Sequence, residues 1–182
     1  MKIDKKTGTT LQRNQRNGTS EGHVETTNPI ERAAIAAALP GEGNDGGPWY
    51  EAADGERIAV RVSSVESHGA YAIVESIAAP GCATPMHLHR NEEEHFVIIA
   101  GQYRIAIGAK LFDASAGTSV TISKGATHSW RNISTEPGRL VVILTPGGFE
   151  QCIQTIRNSP PEKLEEVAAS YGCYIVGPPV SA

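Results

Sequence analysis

The run Gly81-Cys82-Ala83-Thr84-Pro85-Met86-His87-Leu88-His89-Arg90-Asn91-Glu92-Glu93-Glu94-His95-Phe96-Val97-Ile98-Ile99-Ala100-Gly101 holds two histidines two positions apart, a polar turn, and a carboxylate at the head of an apolar segment. If residues 85–89 are extended, His87 and His89 project from one face, because side chains alternate along a strand. Past the turn, Glu94, Phe96 and Ile98 share a face, so the pattern carries a carboxylate toward the interior. A carboxylate buried without a partner is costly unless a cation compensates it. Glu92 and Glu93 fall in the polar turn and read as solvated. His95 has the opposite parity to Glu94 and reads as outward-facing. His23 and His68 lie in loop-like contexts.

A second run, Gly117-Thr118-Ser119-Val120-Thr121-Ile122-Ser123-Lys124-Gly125-Ala126-Thr127-His128-Ser129-Trp130-Arg131-Asn132, adds another imidazole after a glycine turn, with His128, Trp130 and Asn132 on one strand face. Three imidazoles and one carboxylate suit a borderline divalent ion, Fe, Ni, Mn, Co, Cu or Zn, with coordination positions left for water or substrate. The plainer alternative is a set of hydrogen-bonded core residues holding no metal, at the cost of burying four ionisable groups. Phe96, Ile98, Tyr103, Ile105 and Trp130 share the inward parity. They are read either as an apolar substrate pocket or as plain core.

The surrounding chain fits a turn-rich β protein. Gly (19) and Pro (11) are abundant and aromatics make up 5% of 182 residues. Short β-branched runs at 57–62, 71–77, 95–99, 103–107, 119–122 and 140–144 imply a sandwich or barrel over residues 49–150. Residues 1–28 are polar and read as a flexible segment. Asn28 and Pro29 open a short helix and linker over 29–48. Residues 151–182 form a strand and helix extension packed on the barrel, with a helix capped at Ser159 and ended by Gly172.

Charge and cysteine content narrow the functional classes. With 16 Lys and Arg against 20 Asp and Glu, the net charge is −4 and no basic stripe is present, which argues against nucleic acid as a partner. No apolar run approaches the roughly 18 residues of a membrane span, and the first residues lack a signal-peptide core. Cys82, Cys152 and Cys173 fit neither a disulfide framework nor a Cys-x-x-Cys motif. A cytoplasmic protein with a small-molecule partner is the expectation.

These residues resemble the cupin superfamily. The first run is similar to the motif Gly-x5-His-x-His-x4-Glu-x6-Gly at Gly81, His87, His89, Glu94 and Gly101. The second resembles Gly-x5-Pro-x-Gly-x2-His-x3-Asn at Gly117, Gly125, His128 and Asn132, with Ser123 where the family prefers Pro. The resemblance implies an all-β jelly-roll barrel, the cupin double-stranded β-helix, with a few flanking helices. It also implies one divalent transition metal per chain held by His87, His89, Glu94 and His128. One copy of each motif, followed by Thr145-Pro146-Gly147-Gly148-Phe149 and a terminal helix, resembles single-domain quercetin-dioxygenase-like cupins. That likeness implies a dioxygenase acting on an aromatic or flavonol-like molecule, with Glu94 as both ligand and base, and a homodimer. The alternatives are a redox-neutral isomerase, lyase or decarboxylase on the same scaffold, and a non-catalytic ligand-binding cupin.

Overall fold

A computed structural model describes residues 48–53 and 55–182. The expected flexible segment over 1–28 and the helix and linker that follow it lie outside the described residues. Among the described residues, eleven strands form two antiparallel sheets. The first sheet runs β1 (Tyr50–Ala53), β2 (Glu56–Val62), β3 (Ala72–Ala78), β10 (Gly138–Thr145), β5 (Glu93–Ala100) and β8 (Ser119–Ile122). The second runs β11 (Cys173–Gly177), β4 (Met86–His89), β9 (His128–Asn132), β6 (Gln102–Ile107) and β7 (Lys110–Ser115). This is a β-sandwich of the jelly-roll kind.

Strand alternation builds the interior. On β10, Leu140 and Leu144 are buried, and between them Val142 registers with Val74 on β3 and Phe96 on β5. From the second sheet, Tyr103 and Ile105 on β6 register with Asn132 and Trp130 on β9. Phe96, Ile98, Tyr103, Ile105, Ile122, Trp130 and Leu140 join the two sheets in one apolar cluster. Each such aliphatic side chain contributes on the order of 1.5–3 kcal/mol by leaving water. Tyr103 and Trp130 meet edge to face, with ring centroids 5.5 Å apart.

The chain after β10 departs from the sequence reading in three places. A helix not singled out from the sequence, α1 (Glu150–Arg157), follows β10 directly, and its Cys152 is fully buried. Buried Glu150 anchors its start by accepting hydrogen bonds from the N–H groups of Ser64 (2.8 Å) and Gly148 (2.7 Å). The helix expected from Ser159 begins later, as a 3-10 turn at Pro161–Lys163 and then α2 (Leu164–Ser170). The Ser159 hydroxyl donates to the Thr155 carbonyl (2.9 Å), so it closes α1 instead of capping α2. The tail enters the sheet itself, with β11 pairing along β4 at Cys173 opposite His89 and Ile175 opposite His87. No helix among the described residues is long and apolar enough to cross a membrane.

Gly101, between β5 and β6, has φ +89, and a Cβ there would lie 2.9 Å from both the Gly138 Cα and the Ser134 Oγ. Gly117 also has positive φ, +88, but faces open space. Gly117→Ala is therefore expected to lose only the left-handed backbone cost, about 1 kcal/mol, while Gly101→Ala adds a backbone clash and loses roughly 2–3 kcal/mol. Urea unfolding of the two variants checks the order. Equal losses would contradict it.

Candidate metal centre

Four side chains converge at one end of the barrel. His87 and His89 come from β4, Glu94 from β5 and His128 from β9, and one ligand-capable atom of each lies within 4.8 Å of the others. Local backbone bonds explain the placement. β4 is held on one side by β11 and meets β9 through the His87–His128 register. The Gly125 N–H donates to the His89 carbonyl (2.8 Å), tying the turn before His128 to the end of β4. At the other end of β9, the Asn132 amide nitrogen donates to the carbonyls of Ala78 (2.9 Å) and Glu136 (3.0 Å), while its oxygen accepts from the Ser134 N–H (2.9 Å). The motif asparagine thus locks a turn and holds β9 in position.

The imidazoles are oriented from behind. His87 Nδ1 lies 2.8 Å from the Pro85 carbonyl and His128 Nδ1 lies 3.0 Å from the Ala126 carbonyl. A carbonyl only accepts, so each Nδ1 carries a hydrogen and Nε2 is the atom each ring presents to the cluster, the arrangement metal-ligating histidines use. His128 Nε2 approaches Glu94 Oε2 at 2.6 Å and His89 Nε2 lies 3.5 Å from Glu94 Oε1. Yet His89 Nε2, His128 Nε2 and Glu94 Oε2 are all buried without an aligned hydrogen bond. Orphaned acceptors aimed at common space are what a cation satisfies, so the residues fit a divalent transition ion.

Protonation supports that fit. Burial pushes His87 down to about 4, helped by its imidazole neighbours, so it is neutral and available at neutral pH. Burial alone would raise Glu94, but the surrounding imidazoles, His128 foremost, bring it down to about 2 and keep it a carboxylate. Burial likewise opposes protonation of His128, and Glu94 overrides it in the other direction.

Glu92 is a correction to the sequence reading. Only Glu93 of the pair is exposed; Glu92 is buried, with Oε2 3.6 Å from His89 Nδ1. The reason is parity, since Glu92 and Glu94 are two apart and share the inner face as the chain enters β5. At that distance the two atoms make no hydrogen bond, and both are buried without another partner, so Glu92 is the carboxylate nearest the back of the His89 ring. Phe149, in the loop before α1, packs edge-on against His89 with centroids 4.3 Å apart. His95 is half-buried, its Nδ1 2.6 Å from the Thr121 hydroxyl on β8 and outside the cluster. Cys82 packs on the apolar core and does not join the cluster.

The centre opens into a cavity of about 130 Å³. Of the five pocket residues read from the sequence, Phe96 and Trp130 line it, whereas Ile98, Tyr103 and Ile105 lie in the solid core. Parity says which side faces in, but not how deep along the barrel a residue sits. Ile98 is four residues past Glu94 on β5, and Tyr103 registers with Asn132 at the closed end of β9. The sequence reading passed over Glu56 and Ser76, both buried and both lining the cavity. Glu56 heads β2 and shares its parity with Ile58 and Val60, and that polar residue in line with apolar ones is the available signal.

Residues 74–144 match the cupin domain family. Two curated relatives match part of the chain. Mannose-1-phosphate guanylyltransferase 2 of Escherichia coli O157:H7 is 24% identical over 83 residues, 46% of this chain and 17% of that protein. Mannose-1-phosphate guanylyltransferase of Klebsiella pneumoniae is 38% identical over 61 residues, 34% of this chain and 12% of that protein. The match thus spans under a fifth of either relative's length. Among solved structures, KdgF from Halomonas sp. is similar with a TM-score of 0.54 at 11% identity, covering 59% of this chain and 94% of that one. A predicted oxalate decarboxylase from Thermotoga maritima has a TM-score of 0.50 at 18% identity, covering 54% and 90%. At these identities the likeness concerns the fold.

Two outcomes follow from the site. Glu92→Gln keeps all four ligands and is expected to weaken Co(II) or Zn(II) binding about 10- to 100-fold in a chelator competition; unchanged affinity would remove Glu92 from the centre. Burial raises Glu56 from 4.5 to about 6 against the opposing Ser76 hydrogen bond. Its stabilising contribution is therefore full below about pH 4.5 and lost as pH rises through about 6, roughly 2 kcal/mol in all. In metal-free protein, the stability difference between wild type and Glu56→Gln is expected to change by that amount over that interval in urea unfolding.

Proposed function

We propose that this protein, a cupin-fold chain with a cupin domain over residues 74–144, is a metal-dependent enzyme acting on a compact molecule that presents adjacent oxygen atoms to the centre. The observation that carries the reading is the convergence of His87, His89, Glu94 and His128 within 4.8 Å at the wall of a cavity. Those four residues would hold one divalent ion. Bound there, it would supply a Lewis acid that orients and polarises substrate oxygens.

The chain's own residues define the rest of the chemistry. Phe96, Trp130, Leu140, Val142 and Leu144 make the wall beside the ligands mostly apolar, a setting in which the few polar groups present fix a ligand's orientation. Phe149 and Ile153, on the segment after β10, complete the lining. The volume, about 130 Å³, is well under the roughly 300–1,000 Å³ of pockets that take drug-sized ligands. A flavonol does not suit this space. A catechol, an enediol or a short hydroxy acid does.

Oxidative cleavage of such a vicinal-oxygen molecule is the dioxygenase reading carried to this smaller scale. In it Glu94 would serve as a ligand and as the carboxylate nearest the bound oxygens to take up a proton. The redox-neutral reading uses the same residues and differs in one observable, its independence of oxygen.

Protein purified without chelator or nickel resin is expected to carry about one transition ion per chain, and His128→Ala to lose it while remaining folded. A folded wild type that takes up no divalent ion even on reconstitution would overturn the proposal. Oxygen uptake on addition of a catechol or enediol supports dioxygenation, and turnover retained under argon supports the redox-neutral form.

A further inference from the structure

Two carboxyls line the cavity, and only one belongs to the metal centre. Glu94 sits among the imidazoles; Glu56 stands on β2, in the same sheet as Glu94's strand β5, whereas the imidazoles come from β4 and β9 in the other sheet. Glu56 opens β2 opposite Ala78 on β3, and Ser76 lies two residues along β3 on the same face. Both are buried, at 7% and 3% exposure. The Ser76 hydroxyl donates to Glu56 Oε1 at 2.6 Å. Among the described residues no other hydrogen bond reaches this carboxyl, and no Arg, Lys or His pairs with it. Its neighbours on the wall are Ile58, Val74 and Leu140.

A carboxyl in that position costs folding free energy that an aliphatic residue would not. One oxygen is answered by Ser76; the remaining acceptor capacity has only the cavity to turn to. Sites with a few polar groups set in an apolar wall are how small-molecule pockets fix orientation.

We propose that Glu56 and Ser76 form a distal recognition subsite that takes a hydrogen-bond donor, a hydroxyl, at the far end of a short molecule whose near end carries the metal-binding oxygens. The inference rests on the proposed function, because it places the ligand's other end at the His and Glu cluster. It narrows the substrate class to short hydroxylated acids or enediols. A divalent ion with Glu94 retains one positive charge, enough for one carboxylate. A second carboxylate at the far end would face Glu56 with no cation to neutralise either. Dicarboxylates are therefore selected against, and hydroxyl-terminated acids of the same length are selected for. The cavity, about 130 Å³, holds roughly four waters' worth of liquid volume, which sets the ligand at a few carbons.

The test uses 2,4-dihydroxybutyrate and malate, which share a 2-hydroxy acid head and a four-carbon chain and differ at the far end, CH2OH against carboxylate. Wild type loaded with Co(II) is titrated with each by calorimetry, with the cobalt absorption spectrum confirming that the ion stays bound. Wild type is expected to bind 2,4-dihydroxybutyrate at least about tenfold more tightly than malate. Glu56→Gln is expected to collapse that ratio to near unity, by weakening the first ligand and admitting the second. Ser76→Ala, which keeps the carboxylate, is expected to retain discrimination against malate while weakening the hydroxylated ligand several-fold.

Thermal unfolding shows whether each variant is folded, and the serine variant keeps the test decisive should the glutamate variant misfold. A preference for malate in wild type overturns the subsite. So does a ratio unchanged by Glu56→Gln, or a Co(II)-loaded protein that binds neither ligand. A wild type that binds no Co(II) overturns the proposed function and this inference together. Metal retention therefore separates the two failures.

Discussion

Burying three imidazoles and a carboxylate in one apolar barrel imposes a constraint that organises the rest of this protein. Their ligand atoms converge on a common space, where His89 Nε2, His128 Nε2 and Glu94 Oε2 find no aligned hydrogen bond. Such a cluster is tolerable if a cation satisfies it or if protons are shared within it. Backbone carbonyls behind His87 and His128 take the hydrogen on Nδ1 and leave Nε2 pointing inward, where His128 lies 2.6 Å from Glu94. The barrel thus presents acceptors at a fixed spacing and spends structure elsewhere to hold them. β11 braces β4, Gly125 ties the second motif's turn to His89, and Asn132 anchors the far end of β9.

The same constraint accounts for features that look incidental. No carbonyl serves His89 as one serves His87 and His128, and buried Glu92 is the carboxylate placed behind its Nδ1, 3.6 Å away. Phe149 packs edge-on against that ring, so the segment between β10 and α1 forms part of the centre's wall. Buried Glu150, which gathers two backbone N–H groups at the start of α1, holds that segment down. A loop and helix that resemble a decorative extension therefore help to define the cavity.

Legibility in the sequence followed the physics of local patterns. His87, His89 and Glu94 are readable from parity on two short strands, and the alternation of Leu140, Val142 and Leu144 marks β10 from the chain alone. What escaped was whatever parity does not encode. Depth along the barrel separates Phe96, on the cavity, from Ile98, in the core, though both face inward. β7 is a mostly exposed edge, Lys110–Ser115, and carries little apolar alternation. Helix α1 follows a Gly-Gly turn and has its buried side set by tertiary contact with α2, which short-range propensity does not contain. Glu56 was passed over because a charged residue at the start of a strand reads as a solvated end.

That last residue changes how the interior is understood. With only the tetrad, the barrel is a polar centre backed by an apolar wall, and size alone would select among ligands. With Glu56 and Ser76 opposite, the cavity is polar at two ends and apolar between. The charges are unequal, because one end holds a carboxylate among metal-binding imidazoles and the other a carboxyl with only a serine for company. A ligand satisfying both must carry anionic or chelating oxygens at one end and a donor at the other, separated by a short apolar stretch. One hydrogen-bonded serine lowers the cost of burying Glu56 but does not remove it, since burial still holds its pKa near 6. That cost falls on the wall of the cavity that also carries the His and Glu cluster, where an incoming hydroxyl can repay it.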